Sequence, residues 1–352
     1  MKKTRVFYFL IVVVIILSAC GPSQEELSTQ TAITNTSIAK SWTSTPTLTP
    51  TLTPTPTKTP LPTTTPIGGG QGQILFLDGD YEANKWEIYL SNPNGTGRKQ
   101  LTFLNGTISN PTWSPLGDKI AFSFKKSKDD VFQLYVMNFD GSDISNISVS
   151  RKRDYEHPSW SPDGNKITFV SESDEEEAKK EHPQTDIFVI NSDGSNEIRI
   201  TNDPATFEDD YTREYEPSWS PDGTKILFIS YQTSSPDIFV MNPDGTERTA
   251  LTNLNAGILL PSWSPDGKQI IFTSLKDGQS ESSVNIMNSD GTGLIQVIYN
   301  RQQKNDGQYK FTPDGTKISF GNCCFNLFIM NLDGSDVTKL SSKFGWNFDW
   351  KR

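Results

Sequence analysis

The residues of this chain best suited to chemistry are carboxylates that crowd together: Asp209, Asp210, Glu214 and Glu216. Two carboxyl groups flanking a glycosidic bond can act as proton donor and as base or nucleophile, so Asp210 with Glu214 could serve as a glycosidase acid and base. An acidic loop is more often simply solvated, and these four residues then contribute to a binding face. Asp78, Asp80, Glu82 and Asn84 alternate and could gather oxygens around a cation, but their spacing is not that of an EF-hand loop. His157 and His182 are the only histidines, which rules out a multi-histidine metal site and argues against a histidine-based triad. The chain also lacks a Gly-x-Ser-x-Gly nucleophile elbow. Neither metal nor cofactor is expected, and a non-enzyme is the favoured reading.

Cys323 and Cys324 are a second chemical feature. Neighbouring alpha carbons lie about 3.8 Å apart, below the roughly 4.4 Å minimum for an ordinary disulfide, so a bridge between them would be strained and easily reduced. Such a bridge would make a stiff, redox-sensitive turn in an oxidising compartment. The alternative is two packing cysteines.

The elements that must position these groups come from a repeat. Trp113-Ser-Pro-Leu-Gly117, Trp160-Ser-Pro-Asp-Gly164, Trp219-Ser-Pro-Asp-Gly223, Trp263-Ser-Pro-Asp-Gly267 and Phe311-Thr-Pro-Asp-Gly315 each run on into an apolar pair: Ile120/Phe122, Ile167/Phe169, Ile226/Phe228, Ile270/Phe272 and Ile318/Phe320. A period of this size means an array of like supersecondary units. Each unit contains four strand-like pieces. The first ends in the aromatic, and Ser-Pro-Asp-Gly turns the chain, with proline presetting one dihedral and glycine accepting the left-handed position. Ile-x-Phe is the second strand, and Ile187-Phe-Val-Ile-Asn191 or Ile238-Phe-Val-Met-Asn242 the third. A second turn, such as Asp193-Gly194 or Asp244-Gly245, leads to a fourth strand ending near a Leu-Thr. Short strands without helical periodicity indicate an all-β array, and four-stranded units repeated radially make a propeller.

Blade number follows from the ends. Gln73–Thr102 contains strands two to four without a tryptophan strand, whereas Trp346-Asn-Phe-Asp-Trp350 is a first strand with no hairpin after it. Together they complete one blade, so a six-bladed ring closed by its C-terminal strand is expected over 73–352, leaving no open edge. The recurring tryptophans are expected between blades rather than around a ligand.

The N-terminal part has a different character. Residues 1–20 begin with Lys2, Lys3 and Arg5, continue through an apolar run from Val6 to Leu17 and end in small residues before Cys20. The run is short for a membrane span of about 20 residues and reads as an export signal. Leu17-Ser18-Ala19-Cys20 resembles the lipobox of bacterial lipoproteins; an ordinary cleaved signal containing a cysteine is the alternative. The resemblance implies lipidation of Cys20 and a membrane-anchored, extracytoplasmic protein of a bacterial cell. Residues 21–72 are rich in Ser, Thr and Pro and too poor in apolar residues to offset ordering, so a disordered stalk is expected, with a reach on the order of 100 Å and a composition that suits O-glycosylation. Loss of residues 1–20 removes three cations and no carboxylate, moving the formal charge from −10 to −13. So acidic a chain, with no basic stripe in its sequence, is not expected to bind nucleic acid. It is expected to be monomeric.

The repeated Trp-Ser-Pro-Asp-Gly and Val-Met-Asn-x-Asp-Gly phrases resemble the WD-like β-propeller repeat of TolB and of propellers attached to prolyl-oligopeptidase-type peptidases. TolB carries a folded α/β domain where this chain has its stalk, and the peptidases carry a hydrolase domain for which this chain has no room. The resemblance therefore implies the fold more directly than a Tol role.

A four-stranded meander puts the turns after strands one and three at one end of the ring and the connections after strands two and four at the other. The first set is short and uniform. The second contains all irregular material, including Ser171–Thr185 and Asn202–Glu216, and with it the candidate binding face: Asp209, Asp210, Glu214, Glu216, Cys323 and Cys324. The expected function is a binding scaffold for a protein, peptide or glycan. A TolB-like envelope component and a carbohydrate-active enzyme using loop carboxylates are the alternatives.

Overall fold

The computed structural model describes residues 72–80, 82–172, 184–202, 214–231, 235–276, 282–299, 308–321, 326–342 and 346–351. These residues form six four-stranded antiparallel sheets, one per blade. Blade 1 holds β1 (Ile74–Asp80), β2 (Lys85–Ser91) and β3 (Lys99–Gln100), and blade 2 holds β4 (Thr107–Trp113), β5 (Lys119–Lys125), β6 (Gln133–Asn138) and β7 (Ser145–Asn146). Blade 3 follows with β8 (Glu156–Trp160), β9 (Lys166–Glu172), β10 (Thr185–Asn191) and β11 (Ile198–Arg199). Blade 4 comprises β12 (Glu214–Trp219), β13 (Ile226–Ser230), β14 (Asp237–Met241) and β15 (Thr249–Ala250). Blade 5 runs through β16 (Ala256–Trp263), β17 (Gln269–Lys276), β18 (Ser282–Asn288) and β19 (Ile295–Tyr299), and blade 6 through β20 (Tyr309–Phe311), β21 (Lys317–Gly321), β22 (Asn326–Asn331) and β23 (Thr338–Ser342). The last strand, β24 (Trp346–Trp350), pairs with β1, with Ile74 opposite Trp350 and Leu75 opposite Asp349. The chain thus closes its own ring as the two incomplete ends anticipated.

Middle strands are covered on both faces by neighbouring blades, so they read as unbroken apolar runs rather than alternating ones. Ile226–Ser230 is buried throughout. The core divides into six clusters, one at each junction between blades. At each junction the aromatic that ends an inner strand packs on the third strand of the preceding blade: Trp263 lies with Ile238 and Val240, Trp219 with Ile187 and Val189. Burying each such ring contributes about 1.5–3 kcal/mol. The repeated tryptophans are therefore the cement between blades.

The turns show why their residues recur. Ser161 Oγ donates to Asp163 Oδ1 at 2.5 Å, and Gly164 N–H returns to the Ser161 carbonyl at 2.9 Å. Blade 2 has an exposed Leu116 in place of that aspartate, and Asp118 takes the Ser114 hydroxyl instead, at 2.7 Å. In the second turn Thr246 donates through both hydroxyl and N–H to Asp244 Oδ1, which holds that carboxyl below its usual range. The threonine of Leu-Thr has a role that its position near a strand end did not reveal. Thr252 Oγ1 accepts from Ile238 N–H and donates to Asp237 Oδ1 at 2.7 Å, and Thr102 does the same between Ile88 and Glu87.

Gly245 combines a left-handed backbone (φ +85) with close approach to the previous blade, where an added Cβ would overlap the Ile200 carbonyl oxygen. Gly164 has a similar φ (+72), but its nearest obstacle is Pro115 Cδ at 3.9 Å. Alanine at either position incurs left-handed strain of roughly 1–3 kcal/mol, and Gly245→Ala adds the clash. Urea denaturation should therefore place Gly245→Ala clearly below Gly164→Ala; equal midpoints would refute the tight blade contact.

Candidate functional site

The six inner strands, β24, β4, β8, β12, β16 and β20, line the axis of the ring, and from β24 round to β20 each packs against the next. Five of them break their ladder at the same place: β24 shifts register between Trp346 and Asp349, and four others do so at an x-Pro pair. In those four the shifts fall between Ser109 and Thr112, Glu156 and Ser159, Tyr215 and Ser218, and Leu259 and Ser262. At each shift an x-Pro pair lies opposite one residue of the next strand, the phenylalanine of Ile-x-Phe. This is a β-bulge, a natural place for a proline that cannot donate to the ladder. The residue before each proline is left-handed: Asn110 (φ 48), His157 (φ 53), Glu216 (φ 54) and Leu260 (φ 54). Asn347 (φ 45) repeats the bend in the closing strand, ahead of Phe348. In blade 6 Gln308 stands three residues before the aromatic, and its Oε1 accepts from Phe348 N–H at 3.0 Å.

Polar links run across and around this axis. Asp349 of blade 1 takes Lys310 Nζ of blade 6 at 2.8 Å and, with its other oxygen, Trp113 N–H and the Thr112 hydroxyl of blade 2 at 3.0 and 3.1 Å. Glu216 of blade 4 accepts from Leu260 N–H of blade 5 and feels the charge of Lys310 in blade 6. Its Oε2 is buried and has no hydrogen-bond partner among the described residues. Burial pushes the Glu216 carboxyl up to about 7, against the opposing pull of the Leu260 N–H and Lys310. Burial alone pushes His157 down to about 4. Both side chains are hemmed in by protein yet keep some exposure, as residues on an axial channel do. Burial thus disfavours the charged form of both groups.

These shifts act oppositely on stability. Glu216 binds its proton more tightly when folded, so its contribution falls as pH rises from its unfolded value near 4.5 through about 7. His157 binds its proton less tightly when folded, so its contribution rises from about pH 4 to 6.5. Relative to the parent chain, His157→Gln should lose urea resistance as pH rises from about 4 to 6.5, and Glu216→Gln should gain it as pH rises from 4.5 to about 7. Parallel pH profiles for parent and variants would contradict the assignment.

The structure corrects the placement of two candidate residues. Glu214 and Glu216 belong to β12 and not to the preceding loop. Glu214 is 1% exposed, so it is no solvated loop carboxylate. It pairs with Arg248 of its own blade at 2.5 Å, receives the Thr201 hydroxyl of blade 3, and exchanges backbone bonds with Thr185 Oγ1. Entering the junction desolvates the carboxylate, which is tolerable only beside a cation. Glu216 leaves the loop face altogether for the axis. Asp209, Asp210, Cys323, Cys324 and Cys20 lie outside the described residues. Asp78 is paired with Arg98, Asp80 accepts from Ala83 N–H, and Asn84 holds the Trp86 indole. No group of three candidate metal ligands occurs among the described residues. Sequence reasoning missed the axial ring, although Asn110-Pro, His157-Pro, Glu216-Pro and Leu260-Pro, each two residues before a tryptophan, were its signal.

Comparison with known proteins agrees with this geometry. A family model described as the TolB beta propeller domain matches residues 72–208 and 187–350. TolB from Acinetobacter baumannii is similar in structure, with 20% identity, a TM-score of 0.63, and 79% of this chain and 66% of that chain covered. This chain thus spans slightly less than two thirds of that protein. An oligogalacturonate lyase in complex with manganese shares 15% identity over 77% of this chain and 74% of that chain, with a TM-score of 0.55. A chain of a nidogen/laminin complex shares 12% identity over 80% of this chain and 99% of that chain, with a TM-score of 0.57. At these identities the likeness is one of fold. No curated protein matches the chain.

Proposed function

Because this chain belongs to the TolB beta propeller domain family, we propose that it is a lipid-anchored, extracytoplasmic binding module. Its stalk carries the propeller away from the membrane, and the face with the long connections recognises a protein, peptide or glycan. The asymmetry of the ring carries this reading. One end is built from turns whose side chains are engaged in holding the turn, such as Asp163 and Asp244. The other end carries the connections that follow the second and fourth strands of each blade, and variable loops on a rigid scaffold are where recognition resides. Carboxylate catalysis has weaker support, since Glu214 is already bound to Arg248 and Thr201. Likeness to TolB favours an envelope component as the second reading, tested by co-purification with envelope proteins.

Two measurements test the module. Cys20→Ser should move the protein from the membrane fraction to the soluble fraction; retention in the membrane would sink the lipid anchor. Affinity capture from the native envelope should retain a partner that is lost when the segment 203–213 is shortened, whereas capture indifferent to that change would argue against this face.

A further inference from the structure

The rim of the ring is made by the fourth strand of each blade, whose outer edge has no further strand beside it among the described residues. An open edge can pair with another chain, and proteins blunt it with shortness, charge, proline or a bulge. Five of the six edges here follow that rule. β3, β7, β11 and β15 are two residues long, and β23, which has five, carries an exposed Lys339. β19 is the exception. It has five residues and no charge, and the uncharged stretch around it runs from Gly291 to Asn300. Its one protecting device is a bulge at Val297, where Ile298 lies opposite Val284 and Gln296 opposite Asn285.

The side chains at the start of this edge are apolar and uncovered. Leu294 and Ile295 are 43% and 55% exposed, and among the described residues they are the only consecutive pair of large apolar side chains left so open. Gln296 beside them is exposed as well, its Nε2 donating to Ser283 Oγ at 3.2 Å. Leu294-Ile-Gln-Val-Ile-Tyr299 has no glycine, proline or charge and three β-branched residues, the composition of segments that add to their own copies. The same place in blade 3 shows what β19 lacks. Ile198 follows Asp193 by the same five places as Ile295 follows Asp290, and it is 50% exposed. There the strand stops after two residues, and Glu197 and Arg199 flank the isoleucine, paired with Arg153 and Asp186.

We propose that β19 pairs with β19 of a second copy of this chain, antiparallel about a two-fold axis, so that two fifth blades join into one continuous sheet. Charge selects this occupant. The chain has a formal charge of −10, so two copies repel one another except where both surfaces are neutral, and β19 is a neutral edge. A two-fold axis sets the strand against itself, so the contact needs no foreign sequence to be complementary. Pairing covers Leu294 and Ile295 and uses each edge once, so assembly stops at two copies. A contact limited to one short strand falls below the roughly 800 Å² per partner of a stable interface, which makes the dimer a reversible one. The rim is separate from the face with the long connections, and pairing here is independent of recognition there.

The test is sedimentation equilibrium of the full chain in density-matched detergent, over concentrations from about 1 to about 200 μM. The protein mass should rise from one chain towards two across that range. Ile295→Lys puts a like charge on both edges and should weaken pairing at least about tenfold, and Gln296→Lys should act in the same direction. Ile198→Lys, at the matching place in blade 3, should leave pairing unchanged. All three side chains are exposed, so the variants should melt with the parent; if Ile295→Lys melts lower, Gln296→Lys decides. A single chain at the highest concentration overturns the proposal, whatever other partner the edge accepts, and so does growth past two copies. It is also overturned if the β19 variants pair as the parent does, as they would if a shared micelle held two chains, or if Ile198→Lys loses pairing equally.

Discussion

Removal of residues 344–352 is expected to unfold the propeller or lower its melting temperature by at least about 10 °C. The deleted segment contains Phe348 and Trp350, 2% and 8% exposed, which pack with Ile74, Phe76 and Leu327 where blade 6 meets blade 1. Burial of two such rings contributes about 1.5–3 kcal/mol each. Deletion also exposes the ladder edge of β1 and removes Asp349, which joins Lys310 of blade 6 to Trp113 and Thr112 of blade 2. A loss of about 5 kcal/mol is comparable with the whole stability of many domains, and in a chain this long each kcal/mol corresponds to about 2–4 °C. Asp349→Asn, which keeps the shape and removes the charge, should lower the melting point by a smaller amount. An unchanged melting curve after the deletion would contradict closure through β24.

Glu214→Ala is expected to destabilise the fold by about 3–5 kcal/mol, the usual cost of removing one member of a buried ion pair. Arg248 would keep its place over the Phe228 and Phe239 rings, 4.8 and 5.3 Å from their centres, with its nearest carboxylate gone. The Thr201 hydroxyl and the Ser230 hydroxyl that Arg248 also engages would have to reorganise. Replacing both partners, as in Glu214→Ala with Arg248→Met, should recover part of the loss, because no buried charge is then left alone. Urea denaturation of the two single variants and the double variant measures this directly. Additive losses would show that the pair does not act as a unit. The result also governs any search for hydrolytic activity: a dead Glu214→Ala protein would report lost structure, so substitutions at Asp209 and Asp210 are the informative ones.

Much of the architecture is legible in the amino-acid order alone. The Trp-Ser-Pro-Asp-Gly and Asp-Gly turns are local devices, each stabilised by side chains one to four residues away, such as Ser161 with Asp163 or Thr246 with Asp244. Their spacing therefore discloses strands, blade count and the missing inner strand of blade 1. The candidate site was legible only in part. Glu214 and Glu216 are two residues apart in one acidic stretch, and nothing local separates their fates. A bulge at Glu216-Pro217 turns one toward the axis, while the other is drawn into the junction by an arginine from β14–β15. The aspartate that completes the Ser-Pro or Thr-Pro turn in four repeats is absent from the copy at Leu116, and its replacement by Asp118 shows how much the turn depends on the carboxylate and how little on its exact position.

What the amino-acid order determined by itself is whatever arises between residues close along the chain: the turns, the apolar runs, the repeat, and through them a closed six-bladed ring. What tertiary structure decided is which side chains from distant segments become neighbours. Closing the ring brings Lys310, Asp349 and Thr112 together and places Glu216 within reach of Leu260 and Lys310. The physical reason lies in range. Hydrogen bonds within a turn need no fold to form, whereas the charge and protonation of a buried carboxyl depend on groups that only the completed ring assembles around it.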